Sequence, residues 1–341
     1  MKRNKSERQR RLGAVAASLF LALASGTAVH AADLTTIRIG AASNVLFGPV
    51  FVLADPSNGI AAKHGLKVDS RIFASGIATM EAALAGDIDV AFPNTRVLLP
   101  MLLSGKACFK GGITFVDVNT VDLATTSDIN SPEQLVGKKI GTQKGGIGEV
   151  ALQMWLKSKN IDPKKVEMVN VSPEDMPIAF AQGTVDGIIW PEPTPSLALQ
   201  MMGKKAHLFG DISSAFRDVS PVNVTCAWVK KNGDKGMENL VAAWIDAVKY
   251  IKENPEKGIA ITASSLQLSP DDVKKFWKMG GWPGGWPADL KDSELEMYDR
   301  YGDYLKSIGE LKEMPDLSKW IESKWLKKVA PDRVKLDKYH L

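Results

Sequence analysis

Apolar residues recur along the chain in two patterns, as short continuous runs and as runs at helical spacing. Short runs rich in Val, Ile and Phe predict β-strands. These strands are Ile37–Gly40, Val68–Phe73, Asp89–Phe92, Gly112–Val118, Lys139–Thr142, Val166–Val171, Gly187–Trp190 and Val224–Val229. Helical spacing fills most of the intervals up to Pro173, and this alternation predicts an α/β fold with a largely parallel sheet.

Helix starts carry signals of their own. Ser131, Ser172 and Ser269 are each followed by a proline and then by acidic residues, which predicts a capped helix start at each serine. After Val229 helical spacing dominates, so we expect mostly helices from there to about Val329.

One segment occurs twice in a loose copy. Ala82–Phe92 (AALAGDIDVAF) resembles Ala179–Ile189 (AFAQGTVDGII), with Gly86 aligned to Gly183. Each copy has the pattern of a helix end, a glycine stop, an aspartate and a buried strand. Two such α/β units, each with a loop at the carboxyl end of its strand, predict two lobes with a binding crevice between them.

The order of the elements predicts how the chain divides between the lobes. Segments near Val121–Ser127 and Phe216–Pro221 are the predicted crossings. Lobe one then comprises residues 33–121 and 222–341, with the C-terminal helices, and lobe two comprises residues 122–221.

The first 31 residues have the order of a secretory signal peptide. Basic residues precede an apolar run, Leu12–Ala24, and the small residues around Ala31 suit cleavage. That run is short for a membrane span, and no cysteine follows it for a lipid anchor. We therefore expect a mature, exported, periplasmic protein that begins near Ala32 or Asp33.

Removal of this leader changes the charge of the chain. The leader carries six basic residues and Glu7, so the mature chain has 37 basic and 38 acidic residues, and the formal charge falls from +4 to −1. The basic character thus belongs to the leader, and the remainder does not predict nucleic-acid binding.

Cys108 and Cys226 are the only cysteines of the chain. Export permits a disulfide between them, but two residues alone do not demonstrate one. The favoured interpretation is two buried thiols that pack as small apolar side chains.

Several motifs together resemble a known family. They are the leader, Ile37–Gly40, Ala82–Phe92, Gly137–Gly141 with the glycine-rich turn after it, and Val185–Gly187 continuing to Trp190–Pro193. In this order they resemble substrate-binding proteins of ABC importers of the nitrate/sulfonate/taurine type, which includes thiamine-precursor binders. The resemblance implies a type 2 periplasmic-binding-protein fold, two crossover strands and a ligand trapped by hinge closure. It also implies a monomer that delivers its ligand to an ABC permease in the inner membrane, with no cofactor and no catalytic residues.

The loop Gln143–Gly148 is the first candidate site, with Lys144, Gly145 and Gly146 as predicted ligand contacts. It follows a strand and opens a helix, so its free N–H groups and the helix dipole favour an anion. A structural tight turn is one alternative. The spacing of its glycines also fits a dinucleotide fingerprint, with Glu167 near the expected acidic position.

Further candidates follow other strands. Ser75 and Gly76 start a helix in lobe one, and this helix N-terminus could face the first across the cleft; an ordinary N-cap is the alternative for Ser75. The remaining candidates of lobe one are Ser43, Asn44, Phe47, Asn94, Thr95 and Arg96. Arg96 could neutralise an anion, although a surface arginine at a helix start is the favoured interpretation.

Trp190 and Glu192 end the last strand of lobe two, and Asn223 and Thr225 lie on the return strand. Trp190 either stacks on a ligand or covers the sheet. Glu192 either meets an ammonium or amide group or caps a loop. No acid lies between Asp218 and Lys230, which argues against a taurine-like zwitterion.

A tandem repeat, Gly280–Pro283 and Gly284–Pro287, cannot continue a helix because glycine and proline both break one. The favoured interpretation is an interhelical loop with packed indole rings. The alternatives are a surface that docks the permease and a flap over the ligand.

The sequence thus predicts a receptor that binds a small organic anion such as an alkanesulfonate. One alternative keeps the fold but binds a neutral ring such as a pyrimidine, stacked on Phe47 or Trp190. Another is a nicotinamide oxidoreductase or a transferase on the same two-lobed fold. The sequence has no histidine and cysteine spacing for zinc or haem, no G-x-S-x-G elbow and no P-loop.

Overall fold

The computed structural model describes residues 34–118, 121–209, 212, 215–279 and 285–341. The predicted signal peptide lies outside these residues. The strands are β1 Thr35–Ala42, β2 Leu66–Phe73, β3 Val90–Ala91, β4 Phe109–Val118, β5 Val121–Thr126, β6 Lys139–Thr142, β7 Glu167–Asn170, β8 Gly187–Pro191, β9 Ala206–Phe209, β10 Asp218–Thr225, β11 Leu290–Lys291 and β12 Val334–Lys335. In the described part of the chain, no helix is both long and apolar enough to cross a membrane.

Helices cover both sheets. They are α1 Gly48–Ala54, α2 Ile60–Lys63, α3 Gly76–Ala85, α4 Thr95–Leu103, α5 Ile147–Ser158, α6 Met176–Ala181, α7 Thr194–Met202, α8 Cys226–Glu253, α9 Pro255–Leu266, α10 Pro270–Met279, α11 Asp292–Ser307 and α12 Lys324–Val329. Helix α8 is kinked at Gly233, whose φ is 64°.

Two five-stranded sheets form the framework. The first has the order β2-β1-β3-β10-β4 and the second the order β7-β6-β8-β5-β9. We call each sheet with its packed helices a lobe, lobe one for the first sheet and lobe two for the second. The α/β, two-lobed architecture predicted from the sequence is confirmed, while the residue boundaries of the lobes stay a prediction.

Both sheets are mixed, which corrects the prediction of a largely parallel sheet. In the first, β1 runs parallel to β2 and β3, but β10 runs antiparallel to β3 and β4. In the second, β6 runs parallel to β7 and β8, but β5 runs antiparallel to β8 and β9. The antiparallel strands β5 and β10 are the first strands after the chain changes lobe. Parallel neighbours need a crossover connection such as a helix, and in the described residues the chain enters these two strands without one.

The predicted strand Val224–Val229 is wrong in its second half. Strand β10 ends at Thr225, and α8 begins at Cys226. The Thr225 hydroxyl accepts a hydrogen bond from the N–H of Trp228 at 3.4 Å, so it caps the helix. In the sequence, an apolar run at the end of a strand cannot be distinguished from an apolar run in the first turn of a helix.

The repeated segments have the same local structure in both lobes. Gly86 and Gly183 close their helices with φ of 83° and 72°. The carboxylate of Asp89 accepts from the N–H of Arg38 at 2.9 Å, and that of Asp186 accepts from the N–H of Lys139 at 2.8 Å. The aspartate of each copy therefore ties a buried strand to its neighbour in the sheet.

Cys108 and Cys226 form a disulfide, so the interpretation as two thiols is wrong. The β4–β10 pairing sets Phe109 opposite Thr225. Cys108 directly precedes Phe109 and Cys226 directly follows Thr225, so this pairing brings the two cysteines side by side, and the N–H of Cys226 donates to the carbonyl of Cys108 at 3.0 Å. The sequence does not show that β4 pairs with β10, so the disulfide was not predicted.

The core of lobe one lies between its sheet and the C-terminal helices. Phe47, Phe92 and Phe115 form a ring cluster with centroids 4.4 to 5.2 Å apart, and Trp244 of α8 packs against it. Trp244 and Ile251 are fully buried, as the helical spacing of α8 predicts. This cluster supports the floor of the cleft described next.

Candidate functional site

A cleft of about 650 Å³, part of it open to solvent, lies between the two lobes. Lobe one contributes Ala42, Ser43, Asn44, Leu46, Phe47, Ala74, Ser75, Gly76, Ile77, Phe92, Pro93, Asn94, Phe115, Val116 and Ser220, and lobe two contributes Gln143, Gly146, Ile147, Trp190 and Pro191. None of these lining residues is charged. The cleft therefore offers apolar surface, hydroxyl and amide groups and backbone N–H groups.

The N-terminus of α3 forms one wall. Ser75 caps this helix, with its hydroxyl accepting from the N–H of Ala78 at 3.4 Å. Within the described residues, no acceptor takes the N–H of Gly76 or Ile77. A Cβ on Gly76 would lie 2.4 Å from the carbonyl oxygen of Phe92, so only glycine lets α3 start this close to β3. Sequence and packing together place two free donors at the cleft.

The loop before α5 forms the opposite wall. Gly145 adopts a φ of 73°, and the N–H of Lys144 donates to Asn170 at 2.8 Å. A Cβ on Gly146 would meet the Trp190 ring at 2.8 Å, so glycine allows the indole to lie against the loop. No acceptor in the described chain takes the N–H of Ile147, the first residue of α5. Helix N-termini from both lobes therefore line the cleft.

The floor near β1 is formed by polar and aromatic residues. Asn44 caps a short 3-10 helix, since its side chain accepts from the N–H of Leu46 at 3.0 Å. Ser43 is exposed at the mouth, and Phe47 is buried in the ring cluster. Phe47 is 4 % exposed, and Trp190, the aromatic lining residue of the opposite wall, is 7 % exposed, so both rings present little surface to the cleft.

Two polar contacts join the lobes at the edge of the cleft. The side-chain amide of Asn94 donates to the carbonyl of Gly145 at 3.0 Å. Arg96 pairs with Glu149 at 3.0 Å and donates from Nε to Glu310 at 2.7 Å. Burial lowers the pKa of Arg96, but the two carboxylates outweigh it, and the net pKa is raised. Arg96 thus connects the two lobes, and its charge is balanced by the two carboxylates. It does not line the cleft.

Comparison with known proteins places the chain in a family. Residues 30–266 match the NMT1-like family. The chain belongs to the NMT1-like family. A putative binding protein of Brucella abortus (strain 2308) is 26% identical over 278 residues, which cover 77% of this chain and 82% of that protein. The taurine-binding periplasmic protein of Escherichia coli (strain K12) is 24% identical and covers 68% of this chain and 70% of its own.

Solved structures share the fold of this NMT1-like protein. The periplasmic aliphatic sulphonate binding protein SsuA of Escherichia coli superposes with a TM-score of 0.69 at 19% identity, over 86% of this chain and 98% of that one. The periplasmic nitrate-binding protein NrtA of Synechocystis PCC 6803 gives 0.69 at 15% identity, over 88% and 89% of the two chains. The protein therefore shares its fold with periplasmic binding proteins.

A polar seam continues from Arg96 along the lobe boundary of this NMT1-like protein. On α5, Gln153 and Lys157 follow Glu149 at intervals of one helical turn. Gln153 accepts from the hydroxyl of Tyr304, and Lys157 donates to Ser307 at 3.0 Å. We call these contacts, with the Arg96 pair, the α5–α11 seam.

Glu192 is 3 % exposed and does not line the cleft. Its carboxylate accepts from the hydroxyl of Ser196 at 2.9 Å and from the N–H of Ser196 at 3.3 Å, so it caps the start of α7. Burial raises the pKa of Glu192 to about 7 and that of the neighbouring Asp122 to about 6. Of the two interpretations given above for Glu192, these hydrogen bonds are those of a loop cap.

Some predicted contacts lie away from the cleft. Asn223 is fully buried, accepts from the indole of Trp320 at 2.8 Å and donates to the carbonyl of Pro221 at 3.0 Å. Thr225 caps α8. Thr95, Lys144, Gly145 and Glu192 are next to lining residues without lining the cleft themselves.

The cleft brings together Ser43, Asn44, Phe47, Ser75, Gly76, Asn94, Gly146 and Trp190 of the predicted contacts. Sequence reasoning missed Phe115, Val116 and Ser220, which lie on β4 and β10. A strand pattern shows that such residues alternate between faces, but it does not show which face meets a cleft. That the predicted contacts bind a ligand stays a prediction.

Of the tandem glycine-tryptophan repeat, the structure describes residues 285–287, with Trp286 beneath the cleft, while residues 280–284 fall outside the described residues. The indole of Trp286 donates to the carbonyl of Leu46 at 2.8 Å, and that of Trp277 donates to Val45 at 3.1 Å. The two rings are 5.1 Å apart. Trp286 is therefore a packed indole that holds the loop after β1 in place.

Proposed function

We propose that this chain is the solute-binding component of an ABC importer and that it traps a small organic anion between its lobes. The observation that carries the proposal is the pair of helix N-termini, α3 from lobe one and α5 from lobe two, on opposite walls of one cleft. Each contributes N–H groups with no acceptor in the described chain. A helix N-terminus carries a partial positive charge of about half an elementary charge, which favours an anion.

We propose that the two N-termini act on one head group, because the walls that carry them approach each other at Ile77 and Gly145. A Cβ on Gly145 would lie 4.0 Å from the side chain of Ile77. A sulfonate or carboxylate that accepts from Gly76, Ile77 and Ile147 would therefore link the lobes, and the closed form would bind it better than the open form. The apolar part of the ligand would contact Trp190 and Ile147. Names of relatives that mention sulfonate, taurine and nitrate support an anion of this kind.

A neutral flat ring is the second candidate, and one observation favours it. Among the described residues, no charged side chain lines the cleft, and the charge of Arg96 is balanced by Glu149 and Glu310. A pyrimidine could stack on Trp190 and accept from the same N–H groups. The anion stays the first proposal because free N–H groups from two helix dipoles suit a negative charge better than a neutral acceptor.

Delivery to a permease and export to the periplasm belong to the same proposal. The first 31 residues predict secretion, and the Cys108–Cys226 disulfide suits an oxidising compartment. We propose a monomer that binds its ligand without chemical change, as the names of its relatives as binding proteins support.

Native mass spectrometry of the protein as purified from cells tests the proposal. Because a closed cleft releases its ligand slowly, the expected spectrum contains a complex with one small acid, which collision releases. Release of a neutral heterocycle instead would replace the first candidate with the second. Copurification of a nicotinamide dinucleotide would contradict the receptor function altogether.

A further inference from the structure

A second cavity adjoins the entrance of the cleft. It encloses about 620 Å³, part of it open to solvent, and shares Ser43 and Ala74 with the cleft. Both shared residues are exposed, so they form a rim between the two spaces rather than a wall. We call this second cavity the entrance chamber.

Most of the wall of the entrance chamber is apolar. Lobe two contributes Pro173, Pro177, Pro193 and Leu197 together with the polar Glu174 and Thr194, and lobe one contributes Leu266 and Leu268 from the end of α9. Proline has no backbone N–H, so these walls present few donors. The leucines are only half-buried and therefore keep apolar surface that a ligand could cover.

We propose that the entrance chamber binds an apolar tail of the ligand whose polar head lies in the cleft. The proposal rests on the function proposed above, and it adds that the ligand class carries an extended alkyl or aryl group. Ala74 directly precedes Ser75, the cap of α3. A head group at the N-terminus of α3 is therefore next to the rim, and a chain attached to it passes Ala74 into the chamber.

A tail in this position also links the lobes. It lies between Leu197 of lobe two and Leu266 of lobe one, both of which line the chamber. Apolar surface on the two sides is covered together only when the lobes are closed, so a longer tail favours the closed form. Affinity should then rise with tail length rather than stay constant.

Binding of straight-chain 1-alkanesulfonates from methanesulfonate to decanesulfonate tests the proposal, with alkylpyrimidines of the same tail lengths in parallel. Once the tail reaches the chamber, affinity of the wild-type protein should rise by up to about fourfold per methylene. The rise should stop when the chamber is full. If affinity does not change with length in a series that binds, the entrance chamber is only a passage and the proposal is wrong.

Matched variants locate the effect. Leu197→Gln and Leu266→Gln should each reduce the gain per methylene while leaving methanesulfonate binding unchanged within twofold. Leu84→Gln changes an exposed leucine of α3 that lines neither cavity, and it should keep the wild-type gain. Equal gains in all four proteins would overturn the proposal and leave the proposed function intact. Failure of both series at every length would overturn both.

Discussion

Arg96 of α4 and Glu149 of α5 form an ion pair of 3.0 Å across the boundary between the lobes. Their side chains are 13% and 11% exposed, so water screens the pair only in part. Glu149 lies in the first turn of the helix whose N-terminus lines the cleft, and Asn94, the cap of α4, lines the cleft as well. The ion pair is therefore coupled to the geometry of the binding site.

Arg96→Gln should shift the protein toward an open form. The change leaves Glu149 and Glu310 close together without their shared cation, so the α5–α11 seam should separate. We expect a larger radius of gyration in solution scattering without ligand and ligand affinity lower by about tenfold or more. Lys274→Gln is the control, because it removes an exposed pair with Glu256, and neither residue lines the cleft. Identical scattering of the two variants would contradict the role given to Arg96.

Ile147→Pro should remove one donor of the cleft without breaking α5. Proline is tolerated at the first helical position, and Gly146 before it has the extended ψ of 171° that proline requires. Loss of one hydrogen bond to a charged head should weaken anion binding by about tenfold or more. Ile147→Val keeps the N–H and a similar shape, and it should bind almost as the wild type does. Equal affinities of the proline and valine variants in calorimetry would exclude this N–H as a ligand contact.

The internal repeat shows which part of the fold the sequence predicts. Gly86 and Gly183 close helices, and Asp89 and Asp186 accept from strand N–H groups, so a local pattern determines a local structure in each lobe. Mixed strand directions were missed because they depend on where the chain changes lobe. A short apolar run does not carry that information.

The candidate site was predictable where ligand contacts follow strands and open helices. Ser75, Gly76, Asn94 and Gly146 all lie in such turns and line the cleft. Arg96 was not predictable, because its partner Glu310 lies 214 residues away along the chain. The role of an ionisable side chain depends on which distant groups the fold brings to it.

Loss of the disulfide should lower stability without changing ligand binding. The bond between Cys108 and Cys226 closes a loop of 118 residues, and a loop of that length is worth up to about 5 kcal/mol of unfolding free energy. Urea unfolding of Cys108→Ala/Cys226→Ala should show this loss. Neither cysteine lines the cleft, so the dissociation constant well below the transition should match that of the wild type. A large change in affinity with unchanged stability would contradict the structural role of the bond.

Stability should fall with rising pH because of Glu192. Its pKa is raised to about 7 by burial, while the unfolded chain ionises near its ordinary value of 4.5. Between these values the unfolded state has already lost a proton that the folded state keeps, so the unfolding free energy decreases by up to about 3 kcal/mol. Asp122, with a pKa of about 6, acts in the same direction.

Urea unfolding at pH 5 and at pH 7.5 measures this effect. Glu192→Gln keeps an acceptor for Ser196 but does not ionise, so the difference between the two pH values should be smaller than in the wild type. Glu174→Gln, at an exposed acid, should behave as the wild type does. Other buried acids such as Glu294 titrate in all three proteins, so they cancel in the comparison. A pH dependence that is the same in the Glu192 variant and the wild type would rule out this assignment.

Calorimetric titration of protein that has been unfolded, freed of bound ligand and refolded tests the central claim most directly. We predict saturable binding of one alkanesulfonate per chain, and Ile147→Pro should weaken it. Pyrimidines of similar size should give no measurable heat. Tight binding of a pyrimidine with no binding of any sulfonate or carboxylate would contradict the account of two helix N-termini holding one anion.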